Sequence, residues 1–243
     1  MRHAARLAAL ILLCGLSLQL YFLARVAMMI VVDPQSTTFQ RSEIWRLATE
    51  KHRVLWSQEW RSYARLGEPI KRAVIASEDA RFADHTGVEW DALESAWARN
   101  QRAEARAQRS AAGSARPAPP AKVVGGSTIT QQLAKNLFLS GERNLARKAQ
   151  EFVITLMLEG LLSKQRILEI YLNNVEWGEG LFGAQAAARY YFHVDADRLG
   201  TLQAARLAVM LPAPKRFEKR PASPYVLDRA ATIAARMDDV ELP

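Results

Sequence analysis

The feature that most constrains this chain is an uncharged apolar run from Leu7 to Ala24, reading LAALILLCGLSLQLYFLA. After Arg25 the apolar character resumes from Val26 to Val32. Crossing a bilayer takes about 20 apolar residues in helical form, so the segment is long enough to span. Arg2, His3 and Arg6 precede it. Positive charge on that flank puts the N-terminus in the cytoplasm, and everything after about Asp33 on the other side of the membrane. Arg25 suits the headgroup level if the span ends near it. A cleaved signal peptide would instead have an apolar stretch of about 7–15 residues followed by a small-residue cleavage site. This run is longer, and Ala-x-Ala patterns after it are poor. The expectation is an uncleaved single-pass anchor over residues 1–33, with an extracytoplasmic domain over residues 34–243.

That domain must be held by core packing. Cys14 is the only cysteine, so no intramolecular disulfide forms. With four histidines and no Cys-x-x-Cys or His-Glu-x-x-His spacing, little room is left for a soft-metal site. Hydrophobic residues make up 49% of the chain and charged residues 24%, a balance that builds a core and excludes disorder. The formal charge of +8 favours an anionic partner: nucleic acid, an anionic membrane surface or a phosphate-bearing substrate. Charge alone does not choose among them.

Periodicity predicts a mainly α-helical domain. Pro69 suits a first helical turn, and Ile70, Ala73, Val74 and Ala76 follow at helical spacing, with His85-Thr86-Gly87 closing that unit. Trp90 to Asn100 reads as a second helix with Leu93, Ala96 and Trp97 on its apolar face. Residues 100–122, NQRAEARAQRSAAGSARPAPPAK, lack large apolar side chains and predict a flexible basic insert whose first half could extend the preceding helix. Gly125-Gly126 opens another helix, capped by Ser127 or Thr128, with Thr128 and Gln131 spaced as a capping box. Further helices are expected over about 145–162, 164–173, 183–192, 201–210 and 225–237. The segment from Gln40 to Leu66 mixes apolar and charged residues without a clear period. No run alternates with the period of a strand.

Three blocks could carry chemistry. In the first, Glu78 and Asp79 follow the apolar stretch Ala73 to Ala76. Adjacent helical residues point about 100° apart, so the two carboxylates cannot do the same job. One can face a cleft while the other pairs locally, for example with Arg81 or a backbone N–H. A Glu at the edge of an apolar helix gains a raised pKa by desolvation, which suits acid–base work. An ordinary solvated helix end fits the pattern as well. In the second block, the glycine-preceded helix start at Gly126 suits an anion. Gln132 and Lys135 share a polar face opposite Leu133 and Leu137, which a plain amphipathic helix would also show. The third block holds Arg143, Arg147, Lys148 and Glu151. It reads either as a surface ion-pair group or as a basic cluster for a pyrophosphate.

Taken in order, the blocks resemble the signatures of glycosyltransferase family 51 of bacterial cell-wall synthesis, over about residues 70–217. Glu78-Asp79-x-x-Phe82-x-x-His85-x-Gly87 is similar to the first. Gly126-Ser127-Thr128-Ile129-Thr130-Gln131-Gln132-x-x-Lys135-Asn136 is similar to the second, and Arg147-Lys148-x-x-Glu151 to the third. Lys164-x-x-Ile167-Leu168-Glu169-x-Tyr171-Leu172-Asn173 and Ala204-Ala205-x-Leu207-Ala208-x-x-Leu211-Pro212 complete the set. Two departures are Gln203, where an acidic residue is more usual, and the long insert between the first two signatures.

The resemblance implies a lysozyme-like, mostly helical fold with a membrane-associated jaw. It implies polymerisation of lipid II into β-1,4-linked glycan, with the growing lipid-linked glycan as donor and undecaprenyl pyrophosphate as leaving group. In that reaction Glu78 is the general base and inversion occurs at the anomeric carbon. Lys135, Arg143, Arg147 and Lys148 would meet the pyrophosphate. Glu151 would orient the acceptor, hold a divalent cation (Mg or Mn) or keep the basic cluster in place. Ser127, Thr128, Gln131, Gln132 and Asn136 would shape the donor site, with Asp79, Phe82 and His85 as structural neighbours. No Ser-x-x-Lys or Lys-Thr-Gly occurs, so the expectation is a monofunctional member without an acylating serine site. Its implied partners are the inner membrane, its lipid-linked substrates and other proteins of cell-wall synthesis and division. A lytic hydrolase would share the catalytic Glu but has no pyrophosphate to meet the basic cluster. A catalytically dead scaffold would not need Glu78, Lys135 and Glu151 intact. Nucleic acid is not an expected partner, because no binding module is visible.

Overall fold

The computed structural model describes residues 2–91, 94–95, 98, 101–102, 126–142 and 144–243. Helix α1 (Arg2–Met28) is long and apolar enough to cross a membrane, and most of its length is exposed. Its C-terminal end is not free. Phe22, Val26 and Met29 are buried in the core of the domain. The Phe22 ring meets Phe138 edge-on at 5.4 Å, and the Arg25 guanidinium lies 5.9 Å from the Phe138 ring centroid. Arg166 donates to the Met29 carbonyl at 2.8 Å and pairs with Asp33 at 2.7 Å. Gln19 and Gln150 exchange two amide hydrogen bonds, at 2.8 and 3.0 Å. The apolar helix is therefore packed onto the domain it leads into.

The segment without a clear period resolves into helix α2 (Thr38–Glu50) and an extended stretch ending in a 3₁₀ turn at Tyr63–Arg65. Thr37 and Gln40 cap α2 reciprocally, each side chain bonding the other's backbone N–H. Helix α3 (Glu68–Glu78) starts at Pro69 as expected and buries Ile70, Ala73 and Val74. Residues 90, 91, 94, 95, 98, 101 and 102 are helical. Leu93, Ala96, Trp97 and most of the 100–122 insert lie outside the described residues.

The rest of the domain is helical apart from one hairpin. It comprises α4 (Ile129–Phe138), α5 (Leu145–Leu161), α6 (Lys164–Asn174), α7 (Ala184–Phe192), α8 (Thr201–Met210), the short α9 (Pro214–Phe217) and α10 (Pro224–Ala234). Helix α8 is central, packed on both α3 and α10. Its buried Ala204, Ala205 and Ala208 let neighbouring backbones approach closely. Gln203 accepts the Gly200 N–H at 2.9 Å. An acceptor at the third position of a helix is all that N-terminal capping needs, so the amide serves there as a carboxylate would.

A two-stranded antiparallel hairpin, β1 (Glu176–Gly178) and β2 (Leu181–Phe182), was not expected. Strands of three and two residues are too short to show alternation. Ser57 extends the pair by exchanging backbone hydrogen bonds with Gly180 and Phe182, both at 2.9 Å. Gly180 turns at φ +72°, and a Cβ there would lie 2.1 Å from the Leu55 carbonyl oxygen. Asn173 fixes the same extended stretch from α6, bonding both the N–H and the carbonyl of Arg61 at 2.8 Å.

The Gln19–Gln150 pair yields a test. Gln150→Leu is expected to cost about 1 kcal/mol by stranding the Gln19 amide among apolar side chains. Replacing both residues with Leu should restore most of that loss. Denaturant unfolding of the full chain in detergent reads both values, and equal losses in the single and double variants would show that the pair contributes nothing.

Candidate active site

Glu78 is the last residue of α3, half-buried, with its side chain turned toward α4. Its Oε2 accepts a hydrogen bond from Gln132 Nε2 at 2.8 Å. The Gln132 carbonyl oxygen in turn accepts from the Tyr171 hydroxyl at 2.9 Å. Tyr171, buried on α6, thereby fixes which way the amide points. Burial pushes the Glu78 carboxyl above the ordinary carboxylate range. The Gln132 bond opposes that shift, the Asp79 charge adds to it, and Lys135 opposes it. Burial, with the Glu78 and Asp79 charges, also holds the Tyr171 hydroxyl far above its usual value, so it stays a donor.

Asp79 does a different job. It is 4% exposed, and its Oδ2 accepts the Ile129 N–H at 3.0 Å, at the first turn of α4. Its Oδ1 lies 2.8 Å from His85 Nε2. His85 Nδ1 accepts the Gly87 N–H at 3.0 Å, so the ring proton sits on Nε2 and points at Asp79. The Gly87 carbonyl accepts the Thr128 hydroxyl at 2.6 Å, and Thr128 caps α4 through the Gln131 N–H at 3.2 Å. The hydrogen bonds close a ring that holds the end of α3 against the start of α4. Gly87 permits it: its φ is +85°, and a Cβ would sit 2.7 Å from both Thr155 and Glu159. Arg81, a possible partner for Asp79 on sequence, pairs instead with Glu89 and Asp91. Phe82 is fully buried, 4.4 Å under the Lys164 ammonium.

Beyond Gln132 opens a cleft of about 580 Å³. Ser127, Gln131, Gln132, Lys135 and Asn136 of the second block line it, as do Arg147, Lys148 and Glu151 of the third. Thr128 does not; it is buried with its hydroxyl engaged in the ring. Glu78 stands behind Gln132 and is not itself part of the wall. Glu151 is 3% exposed and salt-bridged to Arg147 at 2.8 Å and to Lys148. Asn144 caps this helix by accepting the Arg147 N–H at 2.7 Å, which sets the register that brings all three charges to one side. Lys135 is open to the cleft yet crowded by its walls. That crowding lowers its ammonium below the ordinary lysine value. Glu151 opposes the shift, Arg147 and Lys148 reinforce it, and Glu78 opposes it. Lys135 thus couples to both carboxylates. Arg143 lies outside the described residues.

Several lining groups had no place in the sequence blocks, among them two carboxylates from distant elements. Glu176 opens β1, directly after the fourth block, and Glu43 comes from α2. Neither sits in a pattern that marks chemistry; only the fold brings them to the cleft. A divalent cation beside Glu151 does not fit the donor set, because Arg147 and Lys148 already occupy both carboxylate oxygens and oppose further positive charge. Among the described residues no three His, Cys, Asp or Glu side chains gather as a metal site.

A helical domain that sets a desolvated carboxylate behind a basic cleft has the groups that acid–base chemistry on an anionic ligand needs. The transglycosylase family model matches residues 47–238, and the chain belongs to that family. A biosynthetic peptidoglycan transglycosylase of Burkholderia thailandensis is 51% identical over 228 residues, covering 94% of this chain and 83% of that protein. A protein of the same description from Paraburkholderia phytofirmans is 46% identical over 243 residues, covering 100% and 94%. Another, from Paraburkholderia xenovorans, is 46% identical over 238 residues, covering 98% and 92%.

Asp79→Asn tests the ring. An amide can still accept from Ile129, but its NH₂ then faces the His85 N–H, donor against donor. The variant is expected to lose about 2 kcal/mol, the cost of an unmet buried polar group. Urea unfolding of the full chain measures it; wild-type stability would remove the ring as the tie between α3 and α4.

Proposed function

We infer that this chain is a membrane-anchored peptidoglycan glycosyltransferase that polymerises lipid II, with Glu78 as its general base. The observation that carries the reading is a desolvated, amide-oriented carboxylate set directly behind Gln132, at the edge of a cleft lined by Lys135, Arg147 and Lys148. Near-full-length relatives described as biosynthetic peptidoglycan transglycosylases supply the substrate class.

The acceptor's GlcNAc 4-hydroxyl is a weak nucleophile. Glu78 takes its proton, and the oxygen attacks the anomeric carbon of the lipid-linked donor from the face opposite the leaving group. The bond from that carbon to the pyrophosphate oxygen breaks, and undecaprenyl pyrophosphate departs with the electron pair. The new linkage is β-1,4 and the configuration inverts. Negative charge grows on the pyrophosphate in the transition state, where preplaced cations lower the barrier most. Lys135, Arg147 and Lys148 are those cations. Glu151 holds Arg147 and Lys148 in position and keeps three positive charges from repelling one another. No step runs through a metal ion.

In this reading helix α1 anchors the chain in the inner membrane, with Arg2 and Arg6 on the cytoplasmic side and the domain outside. The exposed apolar side chains Trp90, Leu145 and Leu156 support contact with the bilayer, since they extend an apolar surface from the helix that packs against α1. Proteins of cell-wall synthesis and division are the partner class this placement would bring within reach.

Incubation of the purified full chain with lipid II is the decisive experiment. New glycan polymer is expected; shortening of preformed glycan instead would make the protein a hydrolase. Glu78→Gln should lower polymerisation by about 10³-fold, within the usual range of general-base effects, with unfolding stability retained. Retained activity would overturn the base assignment.

The pH profile follows from the two shifts. The base must be ionised, so the rate rises with pH through a value above that of an ordinary carboxylate. The lysine must be charged, so the rate falls on the alkaline side below the usual lysine value. Lys135→Arg, which keeps its charge at high pH, should move the alkaline limb upward. An unmoved limb would assign it to another group.

A further inference from the structure

The cleft is lined by a second charged group besides the basic one, and one member of it accepts no hydrogen bond among the described residues. Glu176 lines the cleft and is 6% exposed. Among the described residues its Oε1 receives no hydrogen bond. The nearest cation, Lys215 Nζ, lies 3.6 Å away, beyond hydrogen-bond reach, and is already paired with Glu43. Glu43 also holds Arg46 at 3.0 Å, and Arg46 holds Glu179 at 2.7 Å. Glu176 therefore joins the network only through its long ion pair with Lys215.

A buried acceptor without a donor is disfavoured unless something else supplies one. Strand β1 pairs through its backbone and makes no demand on this side chain. We propose that Glu176 is a substrate-positioning residue, whose carboxylate accepts a hydrogen bond from a hydroxyl or amide N–H of the saccharide bound in the cleft. A cationic ligand is disfavoured, because Lys135, Arg147 and Lys148 line the same space. A sugar bearing hydroxyl and N-acetyl groups, with its phosphate against those cations, meets both groups. The cleft, at about 580 Å³, is of the size that holds such a ligand. The proposal rests on reading the cleft as a lipid II site.

Burial pushes the Glu176 carboxyl up to about 7. Lys215 on α9 opposes the shift, while Glu43 on α2 and Glu218 just past α9 add to it. The Tyr191 hydroxyl on α7 also faces it and stays protonated, donating to the Trp177 carbonyl at 2.8 Å. Protonation removes the charge that makes Oε1 a strong acceptor. As pH falls through this range, substrate binding weakens.

The test is the KM for lipid II of the full chain between pH 6 and 8, separated from kcat. For the wild type, KM should rise about tenfold from pH 8 to pH 6, following the ionised fraction of one group in that window. Glu176→Gln keeps an acceptor that does not titrate, so its KM should be flat over the range. Glu176→Leu should raise KM about tenfold at pH 8, the effect of one lost hydrogen bond, with kcat and Tm retained. A wild-type KM in the Leu variant, or unchanged pH dependence in the Gln variant, overturns the proposal. If wild-type protein makes no polymer at all, the reading of the cleft falls first. If it polymerises and both variants match it, only the role of Glu176 falls.

Discussion

The site depends on one buried carboxylate whose two oxygens are both committed to the fold. Asp79 accepts the first free N–H of α4 and the ring proton of His85. A helix start offers unpaired N–H groups and partial positive charge, so a buried anion there is satisfied at little cost. The contact fixes α4 relative to α3. It therefore decides where Gln132 stands beside Glu78 and where Lys135 enters the cleft. Without it, the Gln132–Glu78 hydrogen bond would have to hold the two helices in register by itself.

The charges follow from that frame. Glu78 is desolvated but oriented by an amide that Tyr171 holds from a third helix. Glu151 is almost fully buried and would be untenable as a lone anion; Arg147 and Lys148 make it possible, and it makes their proximity possible. The acidic pair Glu43 and Glu176 lines the same space. A cleft lined by both cations and hydrogen-bond acceptors suits a ligand that is a phosphate at one end and a sugar at the other. The docking of α1 through Phe22, Val26 and Met29 ties this arrangement to the apolar helix and leaves no loose tether between them.

Much of this was legible in the chain. The helix spacing around Pro69, the capping box of Thr128 and Gln131, and the i, i+4 relation of Arg147 to Glu151 are local rules, and the structure shows each of them. Glu78 and Asp79 do make different contacts, as expected, but not through a helical offset, because α3 ends at Glu78 and Asp79 has left the helical conformation. Asp79's partners were not legible: Arg81 was the nearer candidate by sequence, but it pairs with Glu89 and Asp91. The hairpin was missed because its strands are too short for a period. Glu43 and Glu176 were missed because they are 133 positions apart and nothing local marks either of them as facing a ligand.

By itself the sequence determined a long apolar helix, a mainly helical domain and the residue types of an acid–base site, because periodicity, capping and charge spacing act within a few residues of one another. Only the tertiary structure decided that His85 and Gly87 serve a hydrogen-bonded ring, that Thr128 belongs to that ring and not to the cleft wall, and that Glu176 faces the cleft without a donor. Those outcomes depend on contacts between segments far apart in the chain, where burial and the supply of hydrogen-bond partners, not local propensity, set the energy.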